Sequence, residues 1–313
     1  MHNYCTIVSQ EYIHKILLLY NSLLEHDSNF RFFILCMSKK IKELLSMLKL
    51  ENAILITIDQ VEKVDKQFAA VKPQRNEKEY AWTSKASIFL YLFKNYPDIN
   101  HLLWLDGDIM FYSSPEPIFQ ELEKCSLLLT KERFKGENKK LNNVYGIYNT
   151  GLMGLKRNNE TIGFIRWYRR KCLQWCFDKI VPGKFSDQMH LNQISERLSW
   201  VKVIKNIGIN VTAWNIQGCR VEKKDDGIYI DGVKLIFYHF SGFKCINPNE
   251  FELCIYIDLP EDVRRLIYIP YVNKYRKMIS FVNQFDSNHF KGFNKEGYTL
   301  TNHYIVDGEQ LND

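Results

Sequence analysis

The chain has 313 residues, 46% of them hydrophobic and 25% charged, which is typical of a folded globular protein and excludes a disordered one. Its net charge of +6, from 42 basic and 36 acidic residues, is too small to predict nucleic-acid binding and suits an anionic substrate or a phospholipid surface equally well. No apolar run reaches the ~20 residues of a membrane-spanning helix, no signal peptide is recognisable, and the eight cysteines form no Cys-x-x-Cys pair, so we expect a cytoplasmic protein with reduced thiols.

The first part of the chain alternates short apolar runs with segments in which apolar residues recur at helical spacing. These patterns predict strands at 4–8, 32–36, 53–57 and 102–105 and helices at 12–24, 41–50 and 79–96. Alternating strands and helices are the signature of an α/β fold, in which a mostly parallel sheet is flanked by helices.

The pattern becomes less regular after Pro115 and Pro117. It predicts strands at 125–130, 151–155 and 235–239, the last of them as a further strand of the main sheet. It also predicts helices at 161–177 and 186–198 and a charged loop at 131–143. From about Pro248 the composition shifts towards helix, and the last twenty or so residues are predicted to be poorly ordered.

Two acids follow the strand predicted at 102–105, in the sequence Asp106-Gly107-Asp108. Ligands of open α/β sheets bind outside the carboxyl ends of strands, so we expect both carboxylates to face solvent at a strand mouth. Two carboxylates one residue apart can face one Mg²⁺ or Mn²⁺ ion if the backbone turns between them, and we expect Gly107 to permit that turn. The alternatives are a solvated acidic turn and the acidic pair of a metal-dependent phosphohydrolase.

Several short segments, taken in order, resemble a glycosyltransferase of the GT-A fold, close to the family-eight retaining enzymes and their bacterial relatives. The resemblance extends over roughly residues 4–245, and it is carried by residues 5–8, 80–85, 105–109, 148–151, 186–188 and 237–242. It implies a Rossmann-like, mostly parallel sheet with a C-terminal helical appendage. It also implies a catalytic domain at 1–245, with a nucleotide-binding half at 1–115 and an acceptor and sugar half at 116–245, followed by a helical segment and tail at 246–313.

The resemblance further implies a UDP-sugar donor, a Mn²⁺ or Mg²⁺ ion, and transfer of a hexose to a hydroxyl of a glycan, a glycolipid or a protein. Asp106 and Asp108 match the metal-binding pair, and His239 matches a third protein ligand of the same ion. Asp187 and Gln188 match catalytic residues beside the donor sugar, with Gln188 nearest the anomeric carbon. The remaining matched positions lie against the donor, and they are Ser9, Gln10, Lys85, Asp106, Asn149, Gly242 and Lys244.

Each of these side chains also has a structural interpretation. His239 would be satisfied inside the sheet, Lys85 would be an ordinary lysine on a helix face, and Asp187 would cap a helix. No isolated carboxylate stands out as a general base, which favours retention, because the departing phosphate can take the acceptor proton on the same face. A non-catalytic module that binds nucleotide sugars or glycans remains a further alternative.

The segment at 260–284 alternates basic residues with tyrosine and aliphatic residues. One interpretation is a helix packed on the core with its charged face in water. The other is peripheral association with the inner face of a membrane, which would suit a lipid-linked acceptor.

Overall fold

The computed structural model describes residues 1–306. The predicted mostly parallel sheet flanked by helices is confirmed, and a smaller antiparallel part lies beside it. The strands in chain order are β1 (His2–Val8), β2 (Phe30–Cys36), β3 (Ala53–Thr57), β4 (His101–Leu105), β5 (Ile109–Phe111), β6 (Leu127–Lys131), β7 (Tyr148–Lys156), β8 (Val201–Val203), β9 (Val221–Lys224), β10 (Gly227–Ile230), β11 (Val233–Lys234), β12 (Phe237–His239), β13 (Lys244–Asn247), β14 (Glu250–Glu252) and β15 (His303–Ile305).

The central sheet has seven strands in the order β3-β2-β1-β4-β7-β6-β8. Within it, β7 alone runs antiparallel to its neighbours β4 and β6, and the other pairs are parallel. The carboxyl ends of β1, β4 and β6 therefore meet at one edge, where the amino-terminal half of β7 also lies.

The helices in chain order are α1 (Ile13–His26), α2 (Lys39–Met47), α3 (Ile58–Val64), α4 (Lys66–Ala70), α5 (Glu77–Asn95), α6 (Glu116–Leu122), α7 (Asn142–Tyr145), α8 (Asn159–Gln174), α9 (Glu261–Val263) and α10 (Ile269–Asn283). The three helices predicted in the first half of the chain are present within a few residues of their expected bounds, as α1, α2 and α5, and short helices that were not predicted lie beside them. Local chemistry explains the bounds of α5: Asn76 and Glu79 form a capping box at its start, and it ends before Pro97.

Side chains on the sheet alternate between two buried clusters. In β4, Leu103 and Leu105 join a cluster with residues of α1, α2 and α10, whereas Leu102 and Trp104 join a cluster with residues of α3, α5 and α8. This period of two fixes the register of the strand, because a slip of one residue would exchange the two faces. The core thereby fixes where β4 ends and where the acidic pair begins.

Three predictions about the second half are wrong. The strand at 235–239 was expected in the main sheet, but β12 pairs antiparallel with β5 in a separate two-stranded sheet. The helix expected at 186–198 is only a 3₁₀ helix at Gln188–Gln193, because its polar side chains bond to distant parts of the chain. The loop expected at 131–143 contains a 3₁₀ helix at Gly136–Leu141 and the start of α7.

The C-terminal part is helical through α9, a π-helical turn at Arg264–Tyr268 and α10, but it also contributes β13, β14 and β15. Strand β13 spans the predicted domain boundary at 245, and Phe240 stacks on Tyr271 across it with ring centroids 3.6 Å apart. The boundary stays a prediction. Residues 307–313 of the predicted tail lie outside the described residues. Among residues 1–306, no helix combines the length and the apolar composition needed to cross a bilayer.

Candidate active site

The acidic pair lies at the carboxyl end of β4. The backbone N–H of Asp106 donates to the carbonyl of Gly151 in β7, at 2.9 Å, and the Trp104 indole N–H donates to Asp106 Oδ1 at 2.8 Å. The Asp106 side chain is 26% exposed, but that of Asp108 is only 7% exposed. The expectation that both carboxylates face solvent is therefore wrong for Asp108.

Gly107 lies in the predicted turn, but the backbone conformation of that turn does not require glycine. Its φ lies outside the left-handed region, so its backbone conformation is open to other residues. A Cβ at this position would instead lie 2.7 Å from Ile16 Cδ1 and 3.1 Å from Tyr12 Cδ1. Glycine lets the acidic turn pack closely on the start of α1.

His239 reaches the acidic pair through strand register. Strand β5 begins directly after Asp108 and pairs with β12, so that Ile109 lies opposite His239. The imidazole Nε2 is 3.1 Å from Asp108 Oδ1 and 4.0 Å from Asp106 Oδ2. The ring packs on Gly151, where a Cβ would lie 2.6 Å from two ring atoms.

The charges in this cluster influence one another strongly. Burial would raise the pKa of Asp108, but His239 and Lys15 outweigh it and hold that pKa well below its ordinary value. Burial would lower the pKa of His239, but Asp108 and then Asp106 outweigh it and raise the pKa above its ordinary value. Within residues 1–306, His239 Nδ1 is buried and has no hydrogen-bond partner, so this side chain is not satisfied inside a sheet.

Lys85 lies on α5 with its side chain only 2% exposed, so it is not an ordinary lysine on a helix face. Its Nζ is 3.0 Å from Asp187 Oδ2, 3.3 Å from Asp106 Oδ1 and 3.0 Å from Thr150 Oγ1. Burial would lower the pKa of Lys85, but the two carboxylates outweigh it and raise that pKa above its ordinary value. Lys85 is therefore a fixed positive charge that joins the two acids.

Asp187 is buried and makes no capping bond to the 3₁₀ helix that follows it. Its Oδ2 accepts a hydrogen bond from the Tyr168 hydroxyl at 2.7 Å, in addition to its ion pair with Lys85. The position of Asp187 is thus set by α8 and α5. Its interpretation as a helix cap is wrong.

Gln188 and Asn149 converge on a side chain that the sequence interpretation missed, Glu132. Gln188 Nε2 donates to Glu132 Oε1 at 2.6 Å, and Asn149 Nδ2 donates to the same atom at 3.1 Å. The Trp214 indole N–H donates to Glu132 Oε2 at 2.9 Å. Burial is the largest influence on this carboxyl and raises the pKa of Glu132 to about 7. An acid just beyond a predicted strand was the signal that could have identified it.

Lys15 was also missed. It lies near the start of α1 with its side chain 9% exposed, and its Nζ is 3.8 Å from Asp108 Oδ2. Burial lowers its pKa against the opposing influence of Asp108. A lysine among the apolar residues of a buried helix was the available signal.

The remaining predicted donor contacts lie at two nearby turns. Ser9 and Gln10 follow β1, and the Gln10 carbonyl lies 3.3 Å from His289 Nε2. Gly242 has a φ of +87°, and a Cβ there would lie 2.8 Å from the Tyr256 ring, so glycine is required. Lys244 opens β13, and burial lowers its pKa to about 8.

The donor set suits a divalent ion, although the present arrangement is that of ion pairs. No group of three His, Cys, Asp or Glu side chains within residues 1–306 has the geometry of a formed metal cluster. Neighbouring ligands of an octahedral ion with bonds of ~2.1 Å lie about 3 Å apart, close to the 3.1 Å between His239 Nε2 and Asp108 Oδ1. Two carboxylates and an imidazole whose Nε2 faces them are oxygen and nitrogen ligands that suit Mn²⁺, provided that Asp106 moves closer to His239 than the present 4.0 Å.

Comparisons with known proteins agree with this fold. Residues 4–161 match the family Glycosyl transferase family 8. The chain is 30% identical to the uncharacterized protein YfnD of Bacillus subtilis (strain 168) over 306 residues, 97% of this chain and 98% of YfnD. It is 31% identical to YfnF of the same organism over 256 residues, 80% of this chain and 84% of YfnF.

Among solved structures, the chain is similar to the galactosyltransferase LgtC in complex with donor and acceptor sugar analogues. The TM-score is 0.53 and the identity 14%, over 88% of this chain and 95% of LgtC, a likeness that shows the fold. The chain belongs to glycosyl transferase family 8 and is a glycosyltransferase of the GT-A fold.

Proposed function

We propose that this glycosyltransferase transfers a hexose from a UDP-sugar to a hydroxyl of a glycan, a glycolipid or a protein, with retention and with help from Mn²⁺ or Mg²⁺. One observation carries the proposal. Asp106, Asp108 and His239 converge at the carboxyl end of β4, beside the buried pair of Lys85 and Asp187.

The ion would be held by Asp106, Asp108 and His239. Bound there, it would neutralise the negative charge that develops on the departing diphosphate. Asp106, the more exposed acid, already accepts a bond from Trp104 and pairs with Lys85, which limits how far its carboxylate can rotate. The chain thus supplies a partly preorganised set of ligands.

Lys85 and Lys244 are the chain's own cations for the donor. Lys85 is held by two carboxylates and a threonine hydroxyl, so little reorganisation is needed when negative charge appears beside it. Lys244 follows the Gly242 turn, and its lowered pKa reflects a partly dehydrated ammonium that would gain from a phosphate partner.

Asp187 and Gln188 would face the donor sugar. Asp187 is fixed by Lys85 and Tyr168, so its negative charge can stabilise positive charge developing on the sugar. Gln188 is held at both ends of its amide, by the Thr150 N–H at 3.1 Å and by Glu132. Retention would need no base from the protein, because the departing phosphate can take the acceptor proton on the same face.

The acceptor would lie on the Glu132 side of this cluster. Trp214 contacts Glu132, and its ring lies 6.0 Å from Phe134 and 6.2 Å from Tyr256, of which Tyr256 is 60% exposed. An exposed aromatic surface beside buried polar groups is suited to a sugar acceptor, which has both apolar faces and hydroxyls.

We also propose a cytoplasmic location. The tyrosines of α10 that could enter a membrane surface, Tyr271 and Tyr275, are buried in the core, which supports a packed helix. Contact with the inner face of a membrane would therefore depend on basic residues of 260–284, such as Lys274, whose side chain is 50% exposed.

The test is thermal unfolding of the protein with UDP, UMP or phosphate, each with and without Mn²⁺. Because Asp106, Asp108 and His239 would hold the ion and the ion would offset the charge of the diphosphate, UDP with Mn²⁺ should raise the melting temperature well above the other combinations. A ligand at 100 times its Kd stabilises by about 2.7 kcal/mol. An equal shift with UMP would argue against the site. Hydrolysis of simple phosphate esters would favour a phosphohydrolase, and UDP binding without turnover of any UDP-hexose would favour a binding module.

A further inference from the structure

Lys15 brings a buried ammonium group to the acidic pair. Its Nζ donates to the Phe243 carbonyl at 3.2 Å, lies 3.8 Å from Asp108 Oδ2 and lies 4.5 Å from the centroid of the Tyr12 ring. A buried charge is costly unless it is paired, so these partners hold Lys15 in place.

Asp106, Asp108 and Asp187 each lie within 3.8 Å of a lysine ammonium. Lys85 pairs with Asp106 and Asp187, while Lys15 and His239 both lie beside Asp108. A divalent ion that binds Asp108 must therefore approach a like charge on Lys15, and the Coulomb repulsion is large in a buried setting. As arranged, Lys15 opposes metal binding.

Lys15 is equally well placed to leave Asp108 for a phosphate. Its other partner, the Phe243 carbonyl, belongs to the residue between Gly242 and Lys244, the turn proposed to meet the diphosphate. A lysine has a flexible stem and three donors, so the ammonium can change partners without movement of α1.

We propose that Lys15 neutralises Asp108 while the site is free and swings its ammonium group to the donor diphosphate when the donor binds, which leaves Asp108 available to the ion. Lys15 thus weakens binding of the ion alone, strengthens binding of the nucleotide, and couples the two. This inference rests on the proposed function.

The proposal predicts opposite changes in two affinities. In Lys15→Gln, Mn²⁺ added without nucleotide should bind about tenfold more tightly because a like charge is gone. UDP added without metal should bind about tenfold more weakly because a charge-assisted bond to phosphate is lost. A merely structural role for Lys15 would instead weaken both, since a damaged site binds neither ligand well.

Isothermal titration of Mn²⁺ alone and of UDP alone into the protein measures both affinities. Lys15→Arg keeps the charge and should keep wild-type affinity for UDP to within a few-fold. Lys15→Met matches the stem without the charge, should behave as Lys15→Gln does, and replaces it if the glutamine variant fails to fold. Lys39→Gln removes the same charge from a side chain that is 78% exposed and should change neither affinity.

The outcomes separate this inference from the proposed function. Suppose that the wild-type protein binds Mn²⁺ and UDP. If the affinities of the uncharged Lys15 variant are then unchanged, or are both weaker, only the proposed role of Lys15 is overturned. A wild-type protein that binds neither ligand overturns the proposed function and this inference with it.

Discussion

Replacing Gly151 with alanine should disturb the candidate metal ligands from the side of the sheet. A Cβ at this position would lie 2.6 Å from the Cε1 and Nδ1 atoms of His239 and 2.7 Å from Asn149 Oδ1, where ordinary contacts begin at 3.4 Å. The backbone of residue 151 cannot move away easily, because the Gly151 N–H donates to Asn149 Oδ1 and the Gly151 carbonyl accepts from the Asp106 N–H.

The His239 ring must therefore move by most of an ångström while its backbone stays fixed. The backbone N–H of His239 donates to the Val211 carbonyl at 2.7 Å, and the backbone N–H of Phe240 donates to the Asp108 carbonyl at 2.8 Å. Overpacking of this kind costs about 1–3 kcal/mol. We expect Gly151→Ala to lose that much unfolding free energy in urea, and to lose about tenfold or more in Mn²⁺ affinity measured by titration.

Gly163→Ala is the matched control. Gly163 lies in α8, and a Cβ there would meet no atom within 4 Å. Alanine should stabilise the helix by about 0.5–1 kcal/mol and leave Mn²⁺ binding unchanged. A Gly151→Ala variant with wild-type stability and wild-type Mn²⁺ affinity would refute the packing of His239 on Gly151.

Three further predictions concern side chains of the site. Asp106→Asn and Asp108→Asn should both abolish Mn²⁺-dependent UDP binding in titrations, but Asp108→Asn should lose more unfolding free energy, about 3–5 kcal/mol, because the buried charge of Lys15 loses its carboxylate. His239→Ala should reduce the preference for Mn²⁺ over Mg²⁺ in donor turnover, since a nitrogen ligand favours Mn²⁺. Burial raises the pKa of Glu132 from 4.5 to about 7, so as pH rises the carboxyl loses its proton in the unfolded state before it does so in the folded state. The free energy of unfolding of the wild-type protein should therefore fall between pH 4.5 and 7, by up to about 3 kcal/mol relative to that of Glu132→Gln. Urea titrations at several pH values measure this difference.

Each of these has a contrary result. Equal stability of the two aspartate variants would mean that Asp108 and Lys15 are not a buried pair. An unchanged Mn²⁺ to Mg²⁺ ratio in His239→Ala would remove the imidazole from the ligand set. Parallel stability curves for Glu132→Gln and wild type across this pH range would mean that Glu132 ionises at its ordinary pKa.

The sequence was sufficient for the first half of the fold because the information there is local. Apolar runs and helical spacing predicted the strands β1–β4 and the helices α1, α2 and α5 to within a few residues, although the short helices α3 and α4 were missed. The place of Asp106 and Asp108 at a strand mouth followed from the same pattern, since β4 ends where its apolar run ends. Family membership was likewise accessible, because its motifs are short and ordered along the chain.

The rest depends on contacts between residues far apart in sequence. The apolar run of β12 predicted a strand, but nothing in it specified β5 as its partner, and that pairing is what brings His239 to Asp108. Glu132 and Lys15 are ordinary charged residues until the fold buries them beside Gln188 and Asp108. Gly107 illustrates the same limit. Glycine is needed there because a Cβ would collide with Ile16 of another element, and not because of the backbone conformation of residue 107 itself.

The most direct test is the release of UDP from individual UDP-hexoses by the wild-type protein and Asp106→Asn, in Mn²⁺ and in a chelator. The proposed function predicts that at least one UDP-hexose is turned over in Mn²⁺, that the chelator abolishes turnover, and that Asp106→Asn is inactive in both while remaining folded. Full turnover in the chelator, or full activity of Asp106→Asn, would contradict a metal-dependent transfer centred on Asp106, Asp108 and His239.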